Sequence, residues 1–389
     1  MKQFIFLLGI ALLLGKVVGA QEKVFTLQQL IDSALANRMV FSPEDSRLQN
    51  TMANGTDGLF MPIEISYRRG HLYSLEVEQE WRIRQELQSP VRWLDMGRIK
   101  TDMIASFRAD SLLKEKQRIA AVKKTYFLCV YRYALYNHYR RVMDMVDRML
   151  VGIPQDSLDE TVVWHYSEWL LRLQDSYFDW LEAQNELRGA VGLQIFPIPA
   201  DTVPELYQIE PVPDTLTRTP ARLFYNALQA QLKYKDSQEQ WDRHGYWPSF
   251  FIDVSIRNGI NRQNLMAWQV GVRIPLASWF NDRQLNVSDS RRFRAEYEWQ
   301  KQKEFIDYQS ERLIILMNKR FAQVNYYRNR ILPRMERDTY GLVNQMFDDQ
   351  SVLSESVSKF LSWQSYYTDY LNAIYEYNCL AAELEVLAY

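Results

Sequence analysis

The stretch AWQVGVRIP, residues 267–275, alternates without a break. With Met266 in front of it, Trp268, Val270, Val272 and Ile274 fall on one side, and Ala267, Gln269, Gly271 and Arg273 on the other. Successive side chains of a strand point to opposite faces, so this is a strand with one apolar and one polar face. Three other segments alternate in the same way. Ile63, Ile65 and Tyr67 stand against Glu64, Ser66 and Arg68. Tyr73, Leu75, Val77, Trp81, Ile83 and Leu87 stand against Glu76, Glu78, Glu80, Arg82, Arg84 and Glu86. Phe250, Ile252, Val254 and Ile256 stand against Asp253, Ser255 and Arg257. Two strand pairs follow, about 62–88 and 249–275, with turns expected at Arg69-Gly70 and Asn258-Gly259.

The rest of the chain reads as helical rods. The pattern is helical and free of proline from Val91 to Leu150, about 60 residues or roughly 90 Å. From Asn281 to Phe347 it runs about 65 residues, roughly 100 Å, interrupted at Pro333. Met103, Ile104, Phe107, Ile119, Val122, Tyr126 and Val130 form a seam suited to side-by-side helix packing. Shorter helices are expected over Ser157–Val191 and Ala221–Arg243; stacked end to end they approach the length of one rod. Thr26 and Gln29 form a capping box ahead of the stripe Leu27, Leu30, Ile31, Ala34 and Leu35.

The order of these segments repeats. Pro62 matches Pro248, Trp81 matches Trp268, Trp93-Leu94-Asp95 matches Trp279-Phe280-Asn281, and Glu186-Leu187 matches Glu383-Leu384. The offsets are 186, 187, 186 and 197 residues, so the second copy is longer by about ten in its long helix. Residues 21–194 form the first repeat (helix, strand, strand, long helix, helix) and residues 221–389 the second. The linker 195–220 holds six prolines and reads as an extended, partly packed crossover.

Residues 1–20 read as a secretory signal peptide: Lys2, an apolar run from Phe4 to Leu14, and the small-residue site Val18-Gly19-Ala20. An uncleaved anchor is the alternative. No later apolar run reaches the roughly 20 residues of a membrane-spanning helix. Contact with a membrane therefore falls to the strands. A net charge of −2 leaves no basic footprint for nucleic acid. Cys129 and Cys379 sit in apolar helical patterns and read as buried thiols, a bridge between them being the alternative. His71, His138, His165 and His244 lack metal-ligand spacing, and no phosphate loop or nucleophile motif occurs, so neither an enzyme nor a cofactor is expected. Met143, Met145 and Met149 read as packing residues rather than as a soft-metal path.

No second sheet is available to cover the apolar strand faces, and lipid is the environment that suits them. A bilayer tolerates no open strand edge. Single-chain barrels start at about eight strands, so four per chain require several chains. A homotrimer supplies twelve strands and closes by cyclic symmetry. The lipid-facing set is then Leu75, Val77, Trp81, Ile83, Phe250, Ile252, Val254, Trp268, Val270 and Val272. The pore-lining set includes Glu76, Glu78, Glu80, Arg82, Arg84, Asp253, Arg257 and Arg273. On the polar faces as a whole, six acids against five bases predict a wide pore of weak selectivity.

The chain resembles the TolC family of outer-membrane efflux proteins. The resemblance rests on FTLQQLIDSALAN at Phe25–Asn37 and on Gln269-Val270 leading into Gly271-Val272-Arg273-Ile274-Pro275-Leu276. It rests also on Ile331-Leu332-Pro333 and on YEYNCLAAELEVL at Tyr375–Leu387. It implies a mainly α protein with β-strands. Long antiparallel rods would form a periplasmic α-barrel, joined to a trimeric twelve-stranded β-barrel in the outer membrane of a Gram-negative bacterium. It also implies a passive exit duct that docks a periplasmic adaptor protein and an inner-membrane pump of the RND or ABC class. A type I outlet for polypeptides shares the fold, and an exported coiled-coil scaffold without a pore is the alternative of another class.

By the same resemblance the adaptor-docking tips are Val151, Gly152, Ile153, Ser157 and Leu158 on one side, and Ser351, Val352 and Leu353 on the other. In the second tip, Phe347-Asp348-Asp349-Gln350-Ser351-Val352-Leu353, an aspartate replaces the family's usual glycine, and Ser354 stands where the family often has an acid. A threefold ring of carboxylates can hold a constriction shut and select cations. The candidates are Asp159, Glu160, Asp348, Asp349 and Glu355, set against the plainer role of acids at a helix start, which is to complement its dipole.

Overall fold

The computed structural model describes residues 23–37, 63–70, 78–87, 89–150, 160–208, 222–244, 247–258, 264–274, 282–335, 337–338 and 353–388. The signal-peptide reading of residues 1–20, Gly259 of the second expected turn, and the second half of the linker lie outside them. In chain order the elements are β1 (Lys23–Phe25), α1 (Leu27–Ala36), β2 (Glu64–Gly70), β3 (Glu78–Leu87), α2 (Pro90–Leu150) and α3 (Glu160–Val191). Then come β4 (Pro197–Pro199), α4 (Arg222–His244), β5 (Ser249–Asn258), β6 (Asn264–Arg273), α5 (Asp282–Tyr326) and α6 (Leu353–Ala388). A five-residue π turn, Tyr327–Ile331, follows α5.

The chain divides into two compact units. The first comprises Met1–Val40, Lys114–Arg222 and Asp307–Tyr389; the second comprises Phe41–Leu113 and Leu223–Ile306.

In the first unit α3 is a heptad helix. Val162, Tyr166, Trp169, Leu173, Ser176, Trp180, Ala183 and Leu187 follow 4-3 spacing, and all are buried or packed against buried residues. Together with Leu135, Tyr139, Val142 and Val146 of α2, and Phe360, Leu361 and Leu371 of α6, the first four of them build one apolar cluster. Arg132 pairs with Asp179 across α2 and α3, and Tyr136 stacks on Trp180 with ring centroids 5.8 Å apart. α5 packs on α6 through Met317 against Ala381 and Leu384, and through Val324 against Ala373 and Ile374.

The Thr26–Gln29 capping box is present. Gln29 N–H donates to Thr26 Oγ1 at 3.3 Å, and Thr26 N–H donates to Gln29 Oε1 at 3.0 Å. It orients α1 so that Leu30, Ile31 and Ala34 are buried. Asn37 Nδ2 then donates to the Val191 carbonyl at 3.0 Å. α3 ends at Gly192, whose φ of 77° lets its own N–H and that of Leu193 both reach the Arg188 carbonyl.

The first half of the linker is extended and packed, for reasons the proline count does not show. β4 pairs in parallel with β1, Pro197 opposite Lys23 and Pro199 opposite Phe25. Tyr126 Oη and Asp201 share a hydrogen bond of 2.7 Å. Asn378, 2% exposed, accepts from Tyr207 N–H and donates to the Glu205 carbonyl, each at 2.8 Å. Lys123, 6% exposed, reaches Tyr207 Oη at 2.7 Å and also Glu385. Burial opposes its charge, yet the bonds to Glu385 and Tyr207 outweigh burial and hold its pKa above the usual lysine value.

The helix interruption expected at Pro333 takes a specific form. Leu332 N–H bonds to the Tyr327 carbonyl, a five-residue spacing that widens the turn just ahead of the proline. Proline has no N–H and its ring collides with the carbonyl four residues earlier, and a π bulge is one of the known ways to accommodate such a break.

In the second unit the four strands form one antiparallel sheet in the order β2-β3-β5-β6. Arg69 and Gly70 lie inside β2, paired with Gln79 and Glu78. The turn expected at Arg69-Gly70 is therefore not there: both residues belong to the paired strand. β3, β5 and β6 have ten residues each. Asp102 of α2 accepts a hydrogen bond from Ser237 of α4, and the Arg92 guanidinium lies 3.8 Å from the Trp241 ring centroid. No described helix is long and apolar enough to cross a membrane.

Candidate functional site: a two-faced sheet and two helix tips

Register turns four alternating sequences into two continuous faces. On the apolar face, Ile65, Ile83, Val254 and Trp268 stand side by side across all four strands. The next row is Tyr67, Trp81, Ile256 and Met266, with Tyr67 and Trp81 rings 4.8 Å apart. On the other side lie Ile252 with Val270, then Phe250 with Val272. Beyond Tyr67 the same face turns polar, in a row of Arg69, Gln79, Asn258 and Asn264. Among the described residues nothing covers this face: Trp268 is 76% exposed, Met266 70% and Ile65 64%. Of the expected lipid-facing residues, Trp81, Ile83, Phe250, Ile252, Trp268, Val270 and Val272 are exposed here and Val254 is half-buried. Leu75 and Val77 lie outside the described residues.

The opposite face is charged and internally paired. Asp253, 3% exposed, pairs with Arg82. Glu80, 8% exposed, lies 3.4 Å from Arg257. Glu86 accepts from Arg84 at 3.1 Å and from Arg273 at 3.0 Å. Six of the expected pore-lining residues, together with Glu86 of the same polar face, are thereby brought together as ion pairs. Glu78 is in β3 opposite Gly70, and Glu76 lies outside the described residues. Sequence reasoning missed Phe251, the aromatic on this polar face. Only the strand register places its ring over Gly271 and the Arg84 guanidinium 4.3 Å from its centroid.

Of the two tips the stems are described. One apolar cluster holds Val146 of α2, Val162 of α3 and Phe360 and Leu361 of α6, helices that flank the segments expected to be tips. Glu160 opens α3 and is exposed. Leu353 and Glu355 lie in the first turn of α6. Val151, Gly152, Ile153, Ser157, Leu158, Asp159, Asp348, Asp349, Ser351 and Val352 fall outside the described residues.

Among the described residues no three His, Cys, Asp or Glu side chains gather as metal ligands. Cys129 and Cys379 are free thiols; burial pushes Cys129 up to about 12 and Cys379 up to about 11. Burial also lowers His138 to about 4; its ring packs on Tyr367 with centroids 4.5 Å apart.

No protein-family model and no curated protein sequence matches the chain. Solved structures do. The Campylobacter jejuni CmeC outer-membrane channel has a TM-score of 0.71 at 11% identity, over 92% of this chain and 85% of that one. The open-state Neisseria gonorrhoeae MtrE outer-membrane channel has 0.68 at 15%, over 92% and 88%. The Vibrio cholerae outer-membrane protein VceC has 0.57 at 12%, over 92% and 94%. The fold is therefore that of outer-membrane channel proteins, the fold expected from the resemblance to the TolC family.

Proposed function

We propose that the chain is a subunit of a trimeric outer-membrane duct, the passive exit of a tripartite export system. The observation that carries this reading is the register-aligned apolar face, exposed across four strands and ended by a polar row. An apolar surface of this extent marks an interaction site or a membrane-facing surface. The ten-residue strands match the roughly 9–11 residues that a tilted strand needs to cross a bilayer. Strand direction alternates from β2 to β6, so β6 of one copy can pair antiparallel with β2 of the next, and the ring closes with an even strand count.

The helices support the same closure. α3 carries a second apolar stripe opposite its heptad seam: Trp164, Leu171 and Phe178, spaced by seven and 71%, 61% and 53% exposed. α5 carries a counterpart in Tyr308 and Ile315, 61% and 68% exposed. A helix apolar on two sides is at home between two neighbours, as in a closed helical wall. The element order also favours two repeats, since α1-β2-β3-α2-α3 is echoed by α4-β5-β6-α5-α6.

In this reading the paired charges line water and leave little net field, so the barrel passes solutes with weak charge selection. The two tips dock the periplasmic adaptor and, through it, the inner-membrane pump. The carboxylates Asp159, Glu160, Asp348, Asp349 and Glu355 ring the inner constriction. Membrane fractionation with planar-bilayer recording tests the duct. Recovery in the outer membrane with discrete channel openings is expected; recovery as a soluble periplasmic protein contradicts it. Comparing a deletion strain for sensitivity to dyes, bile salts and metals and for protein export separates a small-molecule duct from a polypeptide outlet.

A further inference from the structure

We propose that Gly271 sets the bore of the duct by letting Phe251 lie flat against the barrel wall; this rests on the reading of the polar face as the lumen. Phe251 is the large aromatic that β5 sends to that face, directly opposite Gly271 of β6. A Cβ built on Gly271 would meet Phe251 Cζ at 2.4 Å, Cε1 at 2.7 Å and Cε2 at 3.1 Å. The far edge of the ring thus occupies the space that any other residue's side chain would fill. Glycine inside a strand weakens it and often marks such a close approach. No positive φ is recorded at Gly271, so the requirement is for room rather than for backbone freedom.

The ring is also held from elsewhere in the sheet. The Arg84 guanidinium lies 4.3 Å from its centroid and pairs with Glu86 at 3.1 Å, and Glu86 is the residue opposite Phe251 on β3. A cation over an aromatic face adds attraction. Phe251 is therefore pinned over the bare backbone of β6 under an ion-paired arginine, and cyclic symmetry repeats the arrangement in every subunit. With a side chain at position 271 the ring must leave the wall. The way open is inward, where pore diameter governs conduction.

The test is single-channel recording of the purified oligomer in planar bilayers, with Asp159 and Asp348 replaced by Ala throughout so that the inner constriction does not limit the current, for the otherwise wild-type chain, Gly271→Ala, Gly271→Val, Phe251→Ala and Phe251→Ala/Gly271→Val. Gly271→Ala should lower conductance, Gly271→Val should lower it further, and removal of the ring in the double variant should restore it to the wild-type level. Equal conductance in wild type and Gly271→Ala overturns the proposal. So does a loss in Gly271→Val that the double variant does not relieve, because the wall rather than the ring would then be at fault. If the glycine variants fail to assemble, Phe251→Ala alone decides: conductance equal to wild type supports a ring lying on the wall, and any clear change, above all the rise expected of a ring standing in the lumen, refutes it. Absence of openings from wild type defeats the duct reading itself, a result distinct from unaltered conductance in the variants.

Discussion

Trp164 and Leu171 stand one heptad apart on the side of α3 that faces away from its buried seam, and both are more than half exposed. In a helix that already buries Val162, Trp169 and Leu187, this second stripe calls for a second neighbour. Burying one such side chain is worth roughly 1.5–3 kcal/mol. Leu171→Glu together with Trp164→Lys should convert the detergent-solubilised oligomer to monomers while the helical circular dichroism stays. Analytical ultracentrifugation checks this.

Asp253 is almost fully covered and depends on Arg82. Breaking a buried pair by removing one partner costs about 3–5 kcal/mol. Arg82 is about a third exposed, which screens its side of the pair, so roughly 2–3 kcal/mol is expected from Asp253→Ala. The temperature at which the oligomer dissociates should fall, and the double variant Arg82→Leu/Asp253→Leu should recover part of the loss.

His138 ties stability to pH. Its folded pKa of about 4 lies below the ordinary 6.5 because burial disfavours the imidazolium; the Gln364 backbone partly opposes this, and Arg141 adds a smaller repulsion. The unfolded chain takes up the proton first as pH falls. The contribution is therefore complete above about 6.5 and is lost progressively towards about 4, by about 3 kcal/mol at most. His138→Phe, which keeps a ring against Tyr367, should flatten the drop in melting temperature between pH 7 and pH 5.

The tip carboxylates make a conductance prediction. Asp159→Ala or Asp348→Ala should raise single-channel conductance by loosening a closed constriction. If none of the acidic tip residues changes conductance when replaced, they serve only their helix dipoles.

The legibility of the sequence followed the range of the interactions. Alternation at Met266–Ile274 and Phe250–Ile256 exposed the strands because period two is a local signal. The Thr26 cap was legible for the same reason. Gly70 misled, since a glycine near a hairpin reads as its turn, whereas here the strand carries it to pair with Glu78. The three-residue strands at Lys23 and Pro197 gave no sign, because their pairing spans 174 residues. Phe251 over Gly271 was hidden in the same way: both residues were in plain view, but only the register shows that they touch. On α3 the meaning of Trp164, Leu171 and Phe178 waited on knowing which face was already taken.

The most direct test is the mass of the purified protein, measured with and without detergent. The account predicts a trimer that stays in solution only while detergent covers the face bearing Trp81, Trp268 and Val270. A monodisperse monomer that is stable in plain buffer would contradict it.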